Sequence, residues 1–256
     1  MKRIPREKLF LSGMDPSAAR IAKQEDVGLE ATEFTYAVNL KEKQMISSLE
    51  ARTEGLPALW LHAPFAEMAP CAIDPLIRQV TILRFQRMFY LCKRLNAEGV
   101  VFHGGFIPHV YYPEWYVSQS VSFWKELLRG VPKNLTFALE NVMEPSPGTL
   151  VEIVKNVNHP QLRLCLDVGH ANTFASKVPP MDWIEPMAPW LVRFHLHNNY
   201  GEGDLHNSLW DGTIPMQALL EKAQALCPDA GYTIETRDAL PSLRWLEGIE
   251  EKDDKP

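Results

Sequence analysis

From end to end the chain alternates short β-prone apolar runs with segments of helical periodicity, and this alternation most constrains its fold. The expected strands are residues 9–12, 28–34, 58–63, 100–104, 135–141, 162–168, 191–197 and 232–236. Between the third and fourth, residues 74–97 carry Ile77, Val80, Leu83, Phe85, Met88, Leu91 and Leu95 at helical spacing, opened by Asp74 as N-cap and Pro75 in the first turn. Further helices are expected over 120–129, 149–157 and 216–226. Strands separated by helices must run parallel, because a parallel neighbour needs a crossover. Eight such units in 256 residues predict closure into a single (β/α)8 barrel over residues 1–249. An open doubly wound sheet is the alternative, but no glycine-rich phosphate loop follows the first strand. The proline-rich stretches 107–114 and 178–190 are expected to be loops over the barrel mouth, and 250–256 a charged tail.

Composition narrows the function classes. A hydrophobic content of 46% suffices for one large core, and the net charge of −6 disfavours nucleic acid as a partner. No apolar run is long enough for a membrane span, and the N-terminal segment lacks the apolar stretch of a signal peptide. Cys71, Cys92, Cys165 and Cys227 are scattered without a CxxC pair, so reduced, buried thiols and a cytoplasmic location are expected.

Against this frame, nine residues stand at or just after strand ends: His62, His103, Glu140, Asp167, His170, His195, Asp204, His206 and Glu235. In a parallel barrel, strand ends share one face, so the nine converge. Imidazole and carboxylate are the usual nitrogen and oxygen ligands of zinc, and carboxylates also suit manganese and magnesium. Without a cation, Glu140, Asp167 and Glu235 would repel one another. Alternation along an extended segment is expected to bring Asp204 and His206 to one side. His170 is expected to return to the mouth through a turn after Asp167.

The motifs HAPF, FHGG, ALEN, CLDVGHANTF, HLHNN, DLH and IET, in that order, resemble the xylose isomerase-like barrels. This superfamily includes endonuclease IV-type apurinic/apyrimidinic endonucleases and sugar-phosphate isomerase/epimerase-like proteins. The resemblance implies a metal quartet of Glu140, Asp167, His195 and Glu235. It also implies a second site of His62 and His103 with Glu140 bridging, and a third of His170, Asp204 and His206. One to three zinc ions are therefore expected, with manganese, magnesium or cobalt also suited to the quartet. Phe65 occupies the place of an aromatic wedge, but the DNA-inserting loop is not recognisable after Phe34.

Two activities follow from this resemblance. The full set of nine favours a zinc phosphoesterase acting on a small phosphodiester rather than duplex DNA, with the ions activating water and clamping phosphate oxygens. The alternative is a sugar or sugar-phosphate isomerase/epimerase. There Glu140 and Glu235 are the acid/base pair, His170 holds a substrate hydroxyl, and Arg237 pairs with a phosphate or carboxylate. A non-catalytic barrel with one structural zinc fits less well, since structural zinc favours closed, sulfur-rich shells. Aromatic residues are frequent in the loops after strands, as suits a ring-bearing substrate.

Overall fold

Eight strands, β1 (Leu9–Ser12), β2 (Gly28–Ala31), β3 (Leu59–His62), β4 (Gly99–His103), β5 (Thr136–Glu140), β6 (Leu162–Asp167), β7 (Leu191–Leu196) and β8 (Gly231–Ile234), pair in parallel in chain order. Strand β8 also pairs with β1, which closes the expected (β/α)8 barrel. The computed structural model describes residues 2–248, so the expected tail 250–256 lies outside the described residues. The helices are α1 (Ala18–Glu25), α2 (Lys43–Thr53), α3 (Pro75–Leu95), α4 (Pro113–Leu127), α5 (Pro147–Val157), α6 (Pro180–Met187), α7 (Met216–Leu226) and α8 (Ala239–Leu246). Among the described residues no helix is long and apolar enough to cross a membrane. All four cysteines are free and buried.

Three local expectations need correction. Residues 178–190 are not all loop, because α6 lies within them. Its Pro180 sits in the first turn, where a missing N–H costs nothing, and Trp183, Ile184 and Met187 bury its inner face. Likewise α4 begins at Pro113, inside the stretch expected to be loop. Helix α3 has the expected Asp74 cap, whose Oδ1 accepts from Leu76 N at 2.8 Å. Its buried face is Ile82, Phe85, Met88, Leu91, Cys92 and Leu95, however, while Ile77, Val80 and Leu83 are exposed.

Strand side chains alternate between faces, so each strand can give the barrel interior one residue low and another two positions later. The lower layer holds Phe10, Trp60, Val101, Ala138, Cys165 and Arg193. The upper layer holds Ser12, Glu30, His62, His103, Glu140, Asp167, His195 and Glu235, one from each strand or its immediate end. A side chain at Gly28 would overlap the Phe10 ring, so glycine there makes room for the lower layer. The Arg193 guanidinium lies between the Phe10 and Trp60 rings, 4.0 and 3.9 Å from their centroids. It also donates to Thr233 Oγ1 at 2.9 Å and lies 3.9 Å from Glu30 Oε2. This buried cation is the electrostatic base on which the upper layer stands. Arg193→Leu is expected to destabilise the protein by roughly 3–5 kcal/mol in urea unfolding, because it leaves Glu30 buried without its guanidinium. A loss below about 1 kcal/mol would show that the stack is not what holds Glu30.

Candidate metal centre

The upper layer focuses on His195. Its Nδ1 faces Glu140 Oε1 at 3.4 Å, Glu235 Oε1 at 3.5 Å and Asp167 Oδ2 at 3.8 Å, yet makes no hydrogen bond. Its Nε2 is held by Glu30, 3.0 Å from Oε1 and 3.2 Å from Oε2, and Glu30 Oε2 accepts from Thr233 Oγ1 at 2.8 Å. A proton on Nε2, shared with Glu30, leaves the Nδ1 lone pair aimed at three carboxylate oxygens. Burial raises the Glu30 pKa, but His195 and Arg193 outweigh it and hold the carboxyl at about 2. Glu140 is also opposed by burial, yet neighbouring His195 and His103 hold it well below the carboxylate range.

Two further donor groups flank this quartet. Glu140 Oε2 lies 3.3 Å from His62 Nε2 and 3.4 Å from His103 Nε2. On the other side, Asp204 Oδ2 lies 3.3 Å from His170 Nε2 and 2.9 Å from His206 Nε2. A shared device orients three of these rings. His62 Nδ1 meets Ala63 O, His170 Nδ1 meets Asn141 O and His206 Nδ1 meets Glu235 O, each at 2.9 Å. A carbonyl oxygen only accepts, so Nδ1 carries the proton and Nε2 presents a lone pair to a carboxylate oxygen. Two acceptors that close need a proton or a cation between them. Burial opposes a charge on His206, but Asp204 and Glu235 raise its pKa to about 9.

Asparagines hold these groups in place. Asn141 Oδ1 accepts from Asp167 N at 2.8 Å and its Nδ2 donates to Asp167 O at 2.9 Å, which locks the ends of β5 and β6 together. Asn198 donates to Leu209 O and Ile214 O, and Asn199 to Gly169 O, tying down the long loop that returns Asp204 and His206 to the mouth. These two residues meet through a left-handed turn at His206 (φ 51°), not through the expected alternation of an extended segment.

All nine residues expected from the sequence are therefore brought to one end of the barrel. Counting Glu30, five carboxylates gather at this end with the guanidinium of Arg193 beneath, so in the absence of a metal the negative charge is met by Arg193 and by protons on imidazoles such as His206. That negative charge, the orphaned His195 Nδ1 and the mixed imidazole–carboxylate donors fit divalent cations. The cavity above has a volume of about 250 Å³ and is lined by Ser12, Met14, Thr32, Thr35 and Phe65 together with His62, His103, Glu140, His170, Asp204, His206 and Glu235. A larger groove of about 780 Å³ opens at the opposite end of the barrel. It carries a solvent-facing Arg94–Glu50 pair rather than a donor cluster.

The description "xylose isomerase-like TIM barrel" matches residues 21–251. The chain belongs to this family. It is 27% identical over 236 residues to the uncharacterized protein MJ1311 of Methanocaldococcus jannaschii, covering 86% of this chain and 80% of that one. A D-tagatose 3-epimerase-like protein is 24% identical with a TM-score of 0.79, covering 94% of this chain and 96% of its own. The TTHB071 protein of Thermus thermophilus, soaked with ZnCl2, is 24% identical with a TM-score of 0.74, covering 97% of this chain and 100% of its own. Other solved structures of this fold include an L-ribulose 3-epimerase and a protein with a bound zinc atom.

Within this xylose isomerase-like barrel, sequence reasoning missed Glu30 and His197. Glu30 lies inside the run expected as strand 28–34, so no strand-end position marked it; β2 in fact stops at Ala31. His197 is fully buried, with Nε2 at 3.1 and 3.2 Å from the two Asp167 oxygens, and a side chain at Gly169 would overlap its ring. Its place two residues after His195 was the available signal. Phe65 lines the cavity and stacks on His103, with centroids 4.5 Å apart. Arg237 is exposed and is not among the described residues that line the cavity.

If His195 holds zinc, Glu30→Gln is expected to weaken zinc binding about 10- to 100-fold in competition with a chromophoric chelator, because the charged partner of that imidazole is lost. Unchanged affinity would assign Glu30 to balancing Arg193 alone. In the metal-free protein, His206 has a pKa of about 9 against about 6.5 unfolded. Its stabilising contribution is thus complete below pH about 6.5 and is lost as the pH rises through about 9. The rise in Tm on adding zinc should consequently grow from pH 6 to 8.5, since zinc replaces that proton. A rise that shrinks over this range would contradict the assignment.

Proposed function

We propose that the chain is a metal-dependent sugar isomerase or epimerase that moves a proton on the carbon next to a carbonyl. The observation that carries this reading is the approach of Glu140 and Glu235 to the same His195 Nδ1, at 3.4 and 3.5 Å, which sets two carboxylates around one reaction point. The epimerase names among proteins of this fold support it. Glu140, Asp167, His195 and Glu235 would hold the cation, which supplies polarisation of the carbonyl and hydroxyl oxygens of a bound sugar. One carboxylate takes the proton from the carbon, and the C–H electron pair moves into a carbon–carbon double bond. The carbonyl pair shifts to its oxygen. The second carboxylate, as the acid, returns a proton to the opposite face for epimerisation and the carbonyl re-forms; for isomerisation the proton goes to the former carbonyl carbon, while the adjacent hydroxyl gives its proton to the former carbonyl oxygen and becomes the new carbonyl. His170, fixed by Asn141 and Asp204, lies beside Glu140 and can hold a substrate hydroxyl.

A specific observation favours a second reading, zinc-dependent hydrolysis of a small phosphodiester. The His62–His103–Glu140 and His170–Asp204–His206 groups exceed what one polarising ion needs, and further ions there would stabilise attacking and leaving oxygens.

The two readings separate in one experiment. The zinc- or manganese-loaded protein is incubated with ketohexoses in D2O, and in parallel with bis(4-nitrophenyl) phosphate. We expect deuterium at the carbon beside the carbonyl, reduced about 10²- to 10⁴-fold in Glu140→Gln and in Glu235→Gln. Absence of exchange, with phosphodiester cleavage that disappears in His206→Ala, would replace the first reading by the second.

A further inference from the structure

The cavity above the candidate ligands is small, and the loops at its end of the barrel also expose large apolar side chains. Met14, Tyr36, Phe65, Tyr112, Phe174 and Tyr200 come from the loops after β1, β2, β3, β4, β6 and β7, and so lie at the same end of the barrel. Tyr112 and Phe174 are 80% and 82% exposed, Tyr36 and Tyr200 59% and 55%, and Met14 and Phe65 just under 40%. Six loops at one end of the barrel thus each expose a large apolar or aromatic side chain, which offers apolar area beside the cavity mouth. Met14 and Phe65 also line the cavity wall, so these two join the rim to the cavity. Two of the rings are also held in position. Phe65 stacks on His103, at an interplanar angle of 18°, and the Tyr200 hydroxyl donates to Asp211 Oδ1. Held rings present area at low entropic cost.

From this we infer that the substrate has two parts: an oxygen-rich head that enters the metal-lined cavity, and a flat, apolar, ring-bearing body that lies on the aromatic rim. The inference rests on the proposed function for its sugar-type head and on the rim alone for its body. A cavity of about 250 Å³ falls below the roughly 300–1,000 Å³ that buries a whole drug-sized ligand, so only the head fits inside. A second copy of the chain is a poorer occupant. An interface centred on the rim would seal the mouth above the candidate ligands. A membrane surface is also disfavoured, because the net charge of −6 repels anionic headgroups.

The test compares methyl, phenyl and 2-naphthyl β-D-glucopyranoside binding to the zinc-loaded protein by calorimetric titration. The naphthyl compound should bind at least about tenfold more tightly than the methyl compound, with the phenyl compound between them. In the Tyr36→Ser/Phe174→Ser double variant, whose replaced rings are exposed, the naphthyl-to-methyl ratio should fall toward one. Equal affinity of the three compounds, no detectable binding of the naphthyl compound, or a ratio unchanged in the variant would each overturn the inference. So would light scattering that finds a dimer converted to monomer by the double variant, since the rim would then belong to a second copy. Turnover of free ketoses with a ratio of one would sink this inference and leave the proposed function standing. A high ratio with no proton exchange in any sugar would do the reverse.

Discussion

The excess of buried negative charge at one end of the barrel is the constraint on which the rest of the structure depends. Glu30, Glu140, Asp167 and Glu235 are nearly inaccessible to water, and Asp204 closes over them, with Arg193 as the fixed cation beneath. Such a cluster cannot persist as bare anions in a low-dielectric interior. The protein answers from below with Arg193, clamped between Phe10 and Trp60, which makes Glu30 a stable anion. It answers from within by aiming imidazole nitrogens at carboxylate oxygens. What remains is charge of the size and geometry that divalent cations neutralise.

The same constraint explains the scaffold around the candidate ligands. Carboxylates that repel one another without a cation must be held mechanically, and the buried asparagines do this through bonds to the backbone. Asn141 bridges β5 and β6, while Asn198 and Asn199 fix the loop that carries Asp204 and His206. The left-handed backbone at His206 belongs to the same pattern, a strained position kept at a site that uses it. Stability and candidate function meet here, because the residues that order the mouth also set which imidazole nitrogen is free.

Much of this was legible in the sequence, for a physical reason. In a closed parallel barrel the last inward residue of each strand faces the mouth, so a histidine or acid that ends an apolar run declares its position. His62, His103, Glu140 and Asp167 are of this kind. Glu30 was hidden because the run from Gly28 to Phe34 gave no sign that β2 ends at Ala31. His197 was hidden because what places it is contact with the Asp167 carboxylate, which spacing does not encode. Arg237 follows Glu235 by two residues, yet it is exposed. Helix α6 went unseen because its prolines read as loop, although one opens the first turn and the other lies near the end. The exposed apolar stripe of α3 shows the reverse, since periodicity located the helix without fixing its buried face.

Anomalous diffraction at the zinc edge, from crystals grown with zinc, would locate the cations. A peak is expected within about 2.0–2.2 Å of His195 Nδ1 and of oxygens from Glu140, Asp167 and Glu235. Further peaks should lie between His62 and His103 and beside Asp204. A barrel mouth without a peak at His195, while zinc is bound elsewhere on the molecule, would contradict this placement.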